Sequence, residues 1–382
     1  MKRWFGTEVL RVLLVLTALL CAKVIHLVGW TPAPVTTVVD TLSSRGLNKE
    51  AREALTAGYY EGLINESSRV SAMNRLVTGN RRITFEDRSQ PDRRETHDFR
   101  FYELIPNSDV DDYRDSRKRY RLRTNSAGMA DREYTLEKPD GVRRIAIMGD
   151  SITRGQGAPY LGTYETLLEN RLNDPASGGR AGGVEILNFA VGSYNITQMM
   201  ETAKVKATPY QPDVYVMAMS KLSVYRSWGQ HIALLMNAGI DLQYDYLRNM
   251  AREAGLEADD PIGVFTAKLD RFRLPTIRWV LNEVKDHAAS HDARVVVLLV
   301  PTVEDVEVLD EEFLGVREII RDLDIPFVDL LHTFADVDQS EYRVADNDFH
   351  PNAAGHELLF RRLYEDVMSD PMVARALLGA TP

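Results

Sequence analysis

From Val142 onward the chain repeats one pattern, a short and almost continuous apolar run followed by a stretch with helical spacing. The runs are Arg144-Ile145-Ala146-Ile147-Met148, Val184-Glu185-Ile186-Leu187-Asn188, Asp213-Val214-Tyr215-Val216-Met217-Ala218-Met219, Arg294-Val295-Val296-Val297-Leu298-Leu299-Val300 and Pro326-Phe327-Val328-Asp329. A strand with one wet face alternates apolar and polar residues. A strand apolar at nearly every position is covered on both faces, which a parallel sheet between two layers of helices provides. Tyr164 to Leu172 and Leu274 to His287 carry helical patterns between the runs. The expected fold is therefore α/β, with five parallel strands. A ligand site in such a sheet lies at the carboxyl ends of the strands. Gln230 to Gly263 is a long insertion between the third and fourth strands and reads as a helical cap over that edge.

The 382 residues suit one large domain or two modest ones. With 44% hydrophobic and 27% charged residues, wholesale disorder is excluded. A net charge of −10 argues against a nucleic-acid binder, whose affinity would rest on neutralising phosphates. Cys21 is the single cysteine, so neither an intrachain disulfide nor a cysteine-based zinc site exists.

The N-terminus speaks to location. Lys2, Arg3 and Arg11 precede an apolar run from Val12 to Trp30 that is interrupted by Lys23 and His26. Val9 to Trp30 reaches the roughly 20 residues of a membrane-spanning helix if Arg11 and Lys23 are tolerated. The preceding cations put the N-terminus in the cytoplasm and the rest of the chain outside. A signal anchor is the first reading. The others are a cleaved signal peptide lacking a clean A-x-A site, a lipoprotein signal with Leu19-Leu20 before Cys21, and a buried helix of the fold. Thr31-Pro32-Ala33-Pro34 is a stiff exit linker, and a helical pattern runs from Asn48 to about Ile64. Asn65-Glu66-Ser67 fits a glycosylation sequon. The charge-rich stretch from Arg81 to Arg123 reads as a solvated membrane-proximal region with short strands. The expected organisation is residues 1–30 as cytoplasmic tip and anchor, 31–138 as linker and accessory region, and 139–382 as the main domain.

Two stretches can carry chemistry. The first strand runs into Gly149-Asp150-Ser151. A serine between a strand end and a helix presents its hydroxyl at the active edge of the sheet. Gly149 permits the turn, Asp150 is read with it as structural support, and the helix start offers unbonded amides to an oxyanion. A lone serine there is also an ordinary N-cap. The other stretch is Asp346-Asn347-Asp348-Phe349-His350-Pro351, read as a loop, followed by the start of a last helix. A serine nucleophile needs a base, and the base needs an orienting carboxylate; His350 and Asp348 supply both. His356 falls on the helix and reads as structural or surface. No His-x-x-x-His with a Glu occurs, and Gly155-x-Gly157 lacks the Lys-Ser/Thr ending of a phosphate loop, so neither metal nor other cofactor is expected.

Gly149-Asp150-Ser151 together with Asp348-Phe349-His350-Pro351-Asn352 resembles the SGNH (GDSL-type) hydrolase family. Asn125-Ser126-Ala127-Gly128-Met129 followed by Arg143-Arg144-Ile145 is similar to its membrane-attached bacterial branch. The likeness runs from about Asn125 to the C-terminus. It implies a flavodoxin-like three-layer α/β/α fold, Ser151 as nucleophile, His350 as base, and the Ser151 amide in the oxyanion hole. The family's second block supplies a glycine amide, and here Gly192 or Ser193 stands for it. The third block's oxyanion Asn is replaced by Leu222; Ser220, Lys221, Ser223 or Asn195 are the candidates to stand in. Asn347 occupies the usual Asp position, and Asp348 gives the Asp-x-His variant of glycan O-acetyltransferase relatives, with Asp346 in reserve. The implied activity is an esterase or O-acyltransferase on acylated envelope glycans, with a polytopic membrane protein as acyl donor in the transfer case. The alternative is a non-catalytic glycan-binding or scaffold module.

Overall fold

The computed structural model describes residues 90–112, 120–177, 183–226, 229–346 and 348–379. The anchor, the Pro-rich linker, the 48–64 helix and the sequon lie outside them. Among the described residues no helix is long and apolar enough to cross a membrane.

Two short antiparallel ribbons come first, β1 (Arg93–Glu95) with β2 (Tyr102–Leu104), and β3 (Asp109–Asp112) with β4 (Tyr120–Arg123). The central sheet follows, made of β5 (Arg143–Met148), β6 (Val184–Asn188), β7 (Val214–Met219), β8 (Arg294–Leu299) and β9 (Phe327–Asp329). A hairpin of β10 (Arg343–Ala345) and β11 (Asp348–Pro351) precedes the last two helices. The sheet is parallel throughout, in the order β6-β5-β7-β8-β9. Counted from its own first strand that order is the flavodoxin-like 2-1-3-4-5, whose switch point lies between β5 and β7.

Strand alternation decides which layer each residue enters. On β5, Ile145 and Ile147 join an apolar cluster with Tyr164, Leu168, Leu359 and Leu363. Ala146 and Met148 point the other way, into a cluster with Met199, Ile277, Val280 and Phe313. Both faces are thus covered by helices: Tyr164–Leu172, Ala353–Ser369 and Pro371–Leu378 on one side, Ile196–Thr202, Arg273–Ala289 and Val306–Asp322 on the other. The continuous apolar runs are the sequence form of this double burial.

The short strands expected before residue 123 are present and the β3–β4 ribbon is solvated, with Arg121 and Asp109 half exposed, but the stretch around β1 and β2 departs from the solvated character expected of it. Phe99, Phe101, Tyr102 and Leu104 are buried in the same cluster as β5 and β7. Each such side chain contributes about 1.5–3 kcal/mol when fully buried, enough to fasten a short ribbon. The charges around them are paired: Arg94, itself half exposed, faces Glu103 across the ribbon at 2.6 Å, and Arg100 reaches the same carboxylate at 2.8 Å. The insertion after β7 is helical as expected, with helices Gln230–Ala238, Asp245–Glu253 and Ile262–Leu269. It packs on this ribbon, with His231 and Tyr244 edge-on to Phe99, and on the helix Arg273–Ala289, where Tyr246 stacks on Trp279.

Candidate active site

Ser151 stands directly past the carboxyl end of β5, at the switch point. The helix it opens is a single turn, Ser151–Arg154, closed by Gly155 at φ +91°. That turn is too short to bring a long helix dipole of its own to the site. What remains is the Ser151 amide at the first helical position, which has no intrahelical acceptor. Asp150 caps the turn by accepting from the Ile152 amide at 2.9 Å, and it also accepts from the Ser220 hydroxyl at the end of β7. Burial pushes the Asp150 carboxyl above its ordinary value, and these hydrogen bonds oppose the shift. Gly149 is needed because a Cβ there would sit 2.5 Å from the Thr153 side chain.

His350 lies on strand β11 rather than in an open loop. The difference matters, since side chains two apart on a strand point the same way. That is how Asp348 and His350 meet: Nδ1 of His350 is 2.6 Å from Asp348 Oδ1, which also accepts the His350 amide at 3.1 Å. With Nδ1 donating to the carboxylate, Nε2 is left as an acceptor. It lies 2.7 Å from Ser151 Oγ. All three residues are nearly enclosed, at 6% exposure for Ser151, 4% for His350 and 3% for Asp348. Asp346, the reserve carboxylate, is exposed and turned to Arg343. His356 is fully buried, takes the Tyr164 amide on Nδ1 at 3.4 Å, and is pushed down to about 3 by desolvation. It is a neutral structural histidine.

Gly157 holds the hairpin against the Ser151 turn. It has φ +88°, and a Cβ on it would lie 2.7 Å from the Pro351 carbonyl and also strike Val344. Gly157→Ala is expected to cost at least about 1–3 kcal/mol of stability from the left-handed backbone alone. Urea unfolding measures this, and an unchanged midpoint would contradict it.

The second block folds as a tight turn. The Val191 amide donates to the Gly149 carbonyl at 3.2 Å, and the Tyr194 amide returns to the Val191 carbonyl at 3.1 Å. Gly192 and Ser193 are thereby held beside the Ser151 turn, with Ser193 at φ +66°. Asn195 caps the helix Ile196–Thr202, its Oδ1 accepting from the Thr197 and Gln198 amides and the Thr197 hydroxyl. In the third block, Ser220 serves Asp150 and its amide donates to Ser223 Oγ at 3.0 Å. Lys221 pairs with Glu304 at 3.0 Å and Glu312 at 3.3 Å. Leu222 packs on the apolar cluster of the opposite layer.

Two sets of residues around the site escaped the sequence reading. Gln156 Nε2 is 3.3 Å from His350 Nδ1, and its carbonyl accepts from Arg154 at 3.4 Å, while Arg154 pairs with buried Asp92 at 2.9 Å. The other set lies behind the Ser151 turn. Asn188 Nδ2 donates to the Thr153 carbonyl at 2.7 Å and to Glu165 at 2.8 Å, and its amide donates to Asp131 at 3.0 Å. Nothing local in these stretches marks them, because each partner comes from a distant element.

The carboxyl groups Asp131, Glu165 and Glu169 share this second set. Desolvation, reinforced by Glu169, raises Asp131 to about 7; desolvation and Asp131 raise Glu165. Desolvation also raises Glu169, opposed by the Ile186 amide and by Arg132, 3.0 Å away. A carboxyl raised by folding stabilises the fold below its ordinary pKa and loses that contribution as pH climbs through the folded one. For Asp131 that window runs from 3.8 to about 7. Stability is expected to fall from about pH 4 to about pH 7, by up to about 1.4 kcal/mol per pH unit for one group, and to level off above that. Asp131→Asn should flatten that slope in urea titrations, and identical slopes would refute the assignment.

The family model for GDSL-like lipases/acylhydrolases matches residues 147–358, more than half of the chain. No curated protein matches it. Solved structures similar to it include a catalytic mutant of an acetylxylan esterase from Geobacillus stearothermophilus. The two share 17% identity over 59% of this chain and 94% of that one, with a TM-score of 0.40. A two-domain esterase active on acetylated mannans is similar at 14% identity over 62% of this chain and 51% of that one, with a TM-score of 0.39.

Proposed function

This chain belongs to the GDSL-like lipase/acylhydrolase family, and from that premise we propose that it is a serine-dependent acyl-ester enzyme. Membership implies esterase-type hydrolysis. The observation that carries the assignment of residues is the relay Asp348–His350–Ser151, with links of 2.6 and 2.7 Å. In this reading His350 Nε2 takes the hydroxyl proton as Ser151 Oγ attacks the ester carbonyl. Asp348 holds the Nδ1–H tautomer and balances the imidazolium. The tetrahedral oxygen is met by the amides of Ser151 and of Gly192 or Ser193. Collapse expels the alcohol, which takes its proton from His350, and leaves an acyl-serine. Water then gives the acid, or a sugar hydroxyl gives a new ester.

The finer reading places the enzyme at the cytoplasmic membrane, anchored by residues 1–30 with residues 139–382 on the outer side. Acylated envelope glycans are its substrate. The cations before the apolar run support the orientation. The Asp-x-His pattern supports O-acyl chemistry on glycans, including transfer with a polytopic acyl-donor protein. The competing reading, a glycan-binding scaffold without catalysis, draws its support from Leu222 at the Asn position.

The test is labelling of the full-length protein in detergent with a fluorophosphonate. Labelling that vanishes in Ser151→Ala supports the enzyme; no labelling of the wild type at any pH leaves the scaffold. Acetyl groups appearing on an added oligosaccharide acceptor, rather than only as acetate, separate transfer from hydrolysis. Protease access in spheroplasts but not in intact cells checks the outer location for a Gram-negative host.

A further inference from the structure

We propose that Arg93, on β1 and outside the family-matched residues, sets a positive charge behind the Gly192 turn and so compensates for the oxyanion donor that the third block lacks. The inference rests on the catalytic reading above. The Asn expected there is Leu222, whose side chain is turned into an apolar layer. Each side chain that could stand in is held elsewhere. Ser220 is on Asp150, Ser223 is on the Ser220 backbone, Lys221 is between two glutamates, and Asn195 caps its helix.

The space beside Gly192 is filled instead by a guanidinium. A Cβ on Gly192 would lie 2.5 Å from Arg93 Nη2 and 3.6 Å from Arg154 Nε. Arg154 is committed to Asp92 and Gln156. Arg93 is buried, and its guanidinium lies over the Tyr102 ring at 4.9 Å; the Tyr102 hydroxyl donates to the Gly192 carbonyl at 3.3 Å. The ribbon thus grips the Gly192 turn from one side, while the Val191 amide ties it to Gly149 on the other. Negative charge developing on an oxygen held by this turn is within the field of a fixed cation in a nearly water-free setting. There a charge acts far more strongly than in water and needs no reorganisation. Arg93 is a positioning residue in this scheme, acting through Gly192 and by its charge. Glycine at 192 follows from it, since any side chain would displace the guanidinium.

The experiment is p-nitrophenyl acetate turnover by the full-length protein in detergent, with thermal melting as the folding control. Arg93→Met is expected to lower kcat about 10–100-fold with KM within about threefold, because the interaction strengthens as charge develops. Arg93→Lys keeps the charge and should retain kcat within about tenfold of the wild type. Gly192→Ala should lower kcat by displacing the guanidinium tip. Its backbone has no positive φ, so alanine adds no backbone strain. The double variant Arg93→Met/Gly192→Ala should lose little more than either single one, as residues acting as a unit do. Wild-type kcat in a folded Arg93→Met protein overturns the proposal while Ser151→Ala remains inactive. If Arg93→Met does not fold, wild-type kcat in Gly192→Ala overturns it equally. Turnover surviving in Ser151→Ala removes the catalytic reading, and this inference with it.

Discussion

His350→Ala is expected to reduce acetyl-ester turnover by on the order of 10⁴–10⁶-fold, and Ser151→Ala by a similar factor. Nε2 of His350 is 2.7 Å from the Ser151 hydroxyl. A neutral serine hydroxyl is a poor nucleophile, and a base already within hydrogen-bond distance removes the proton as the bond to carbon forms. The double variant should be no worse than either single one, because the two side chains act as one unit. Steady-state kinetics with an active-site titration of the wild type measure all three. A His350→Ala protein that retains a tenth of wild-type kcat would remove His350 from the reaction.

Asp348→Asn carries the second-largest expected effect, about 10⁴-fold in kcat with the fold retained. Asp348 Oδ1 accepts from both the imidazole Nδ1 and the His350 backbone amide. An asparagine that keeps its oxygen on that amide still fits the hairpin, but loses the negative charge that steadies the imidazolium. If its nitrogen faces Nδ1 instead, it holds the other tautomer and places a proton on Nε2, where Ser151 needs an acceptor. Asp346→Asn should be silent, since that carboxylate is exposed and pairs, among the described residues, with Arg343 at 3.4 Å. Equal losses at both positions would mean the hairpin, rather than the 348 carboxylate, is what matters.

How much of this was legible beforehand depends on the range of the signal. The five apolar runs coincide with β5–β9 to within a residue or so at each end, because burial on both faces writes itself locally along a strand. Asp348 and His350 are two residues apart, so their meeting follows from strand geometry once β11 forms. Ser151 and His350 are 199 positions apart. Their pairing was readable from the resemblance of two motifs, not from any periodicity. The ribbon of residues 93–104 reads as solvated from sequence because its apolar residues are few and interleaved with charges. Arg94, Arg100 and Glu103 look like a wet surface until their mutual pairing is seen.

The order of sheet-forming segments, the Gly-Asp-Ser turn after the first of them, the two-residue spacing of Asp348 and His350 and the acidic, cysteine-poor character are written in the chain alone, because each depends on neighbouring residues or on composition; that the Asp348–His350 stretch is a strand and not a loop came only with the hairpin. Tertiary packing decided which carboxylate faces the imidazole and where the third-block side chains go. It also decided that Asp92 and Arg93 lie against a helix and a turn 60 to 100 residues away. Those outcomes depend on which distant surfaces exclude water together, and a charged residue carries no local mark of whether its partner is solvent or another buried charge.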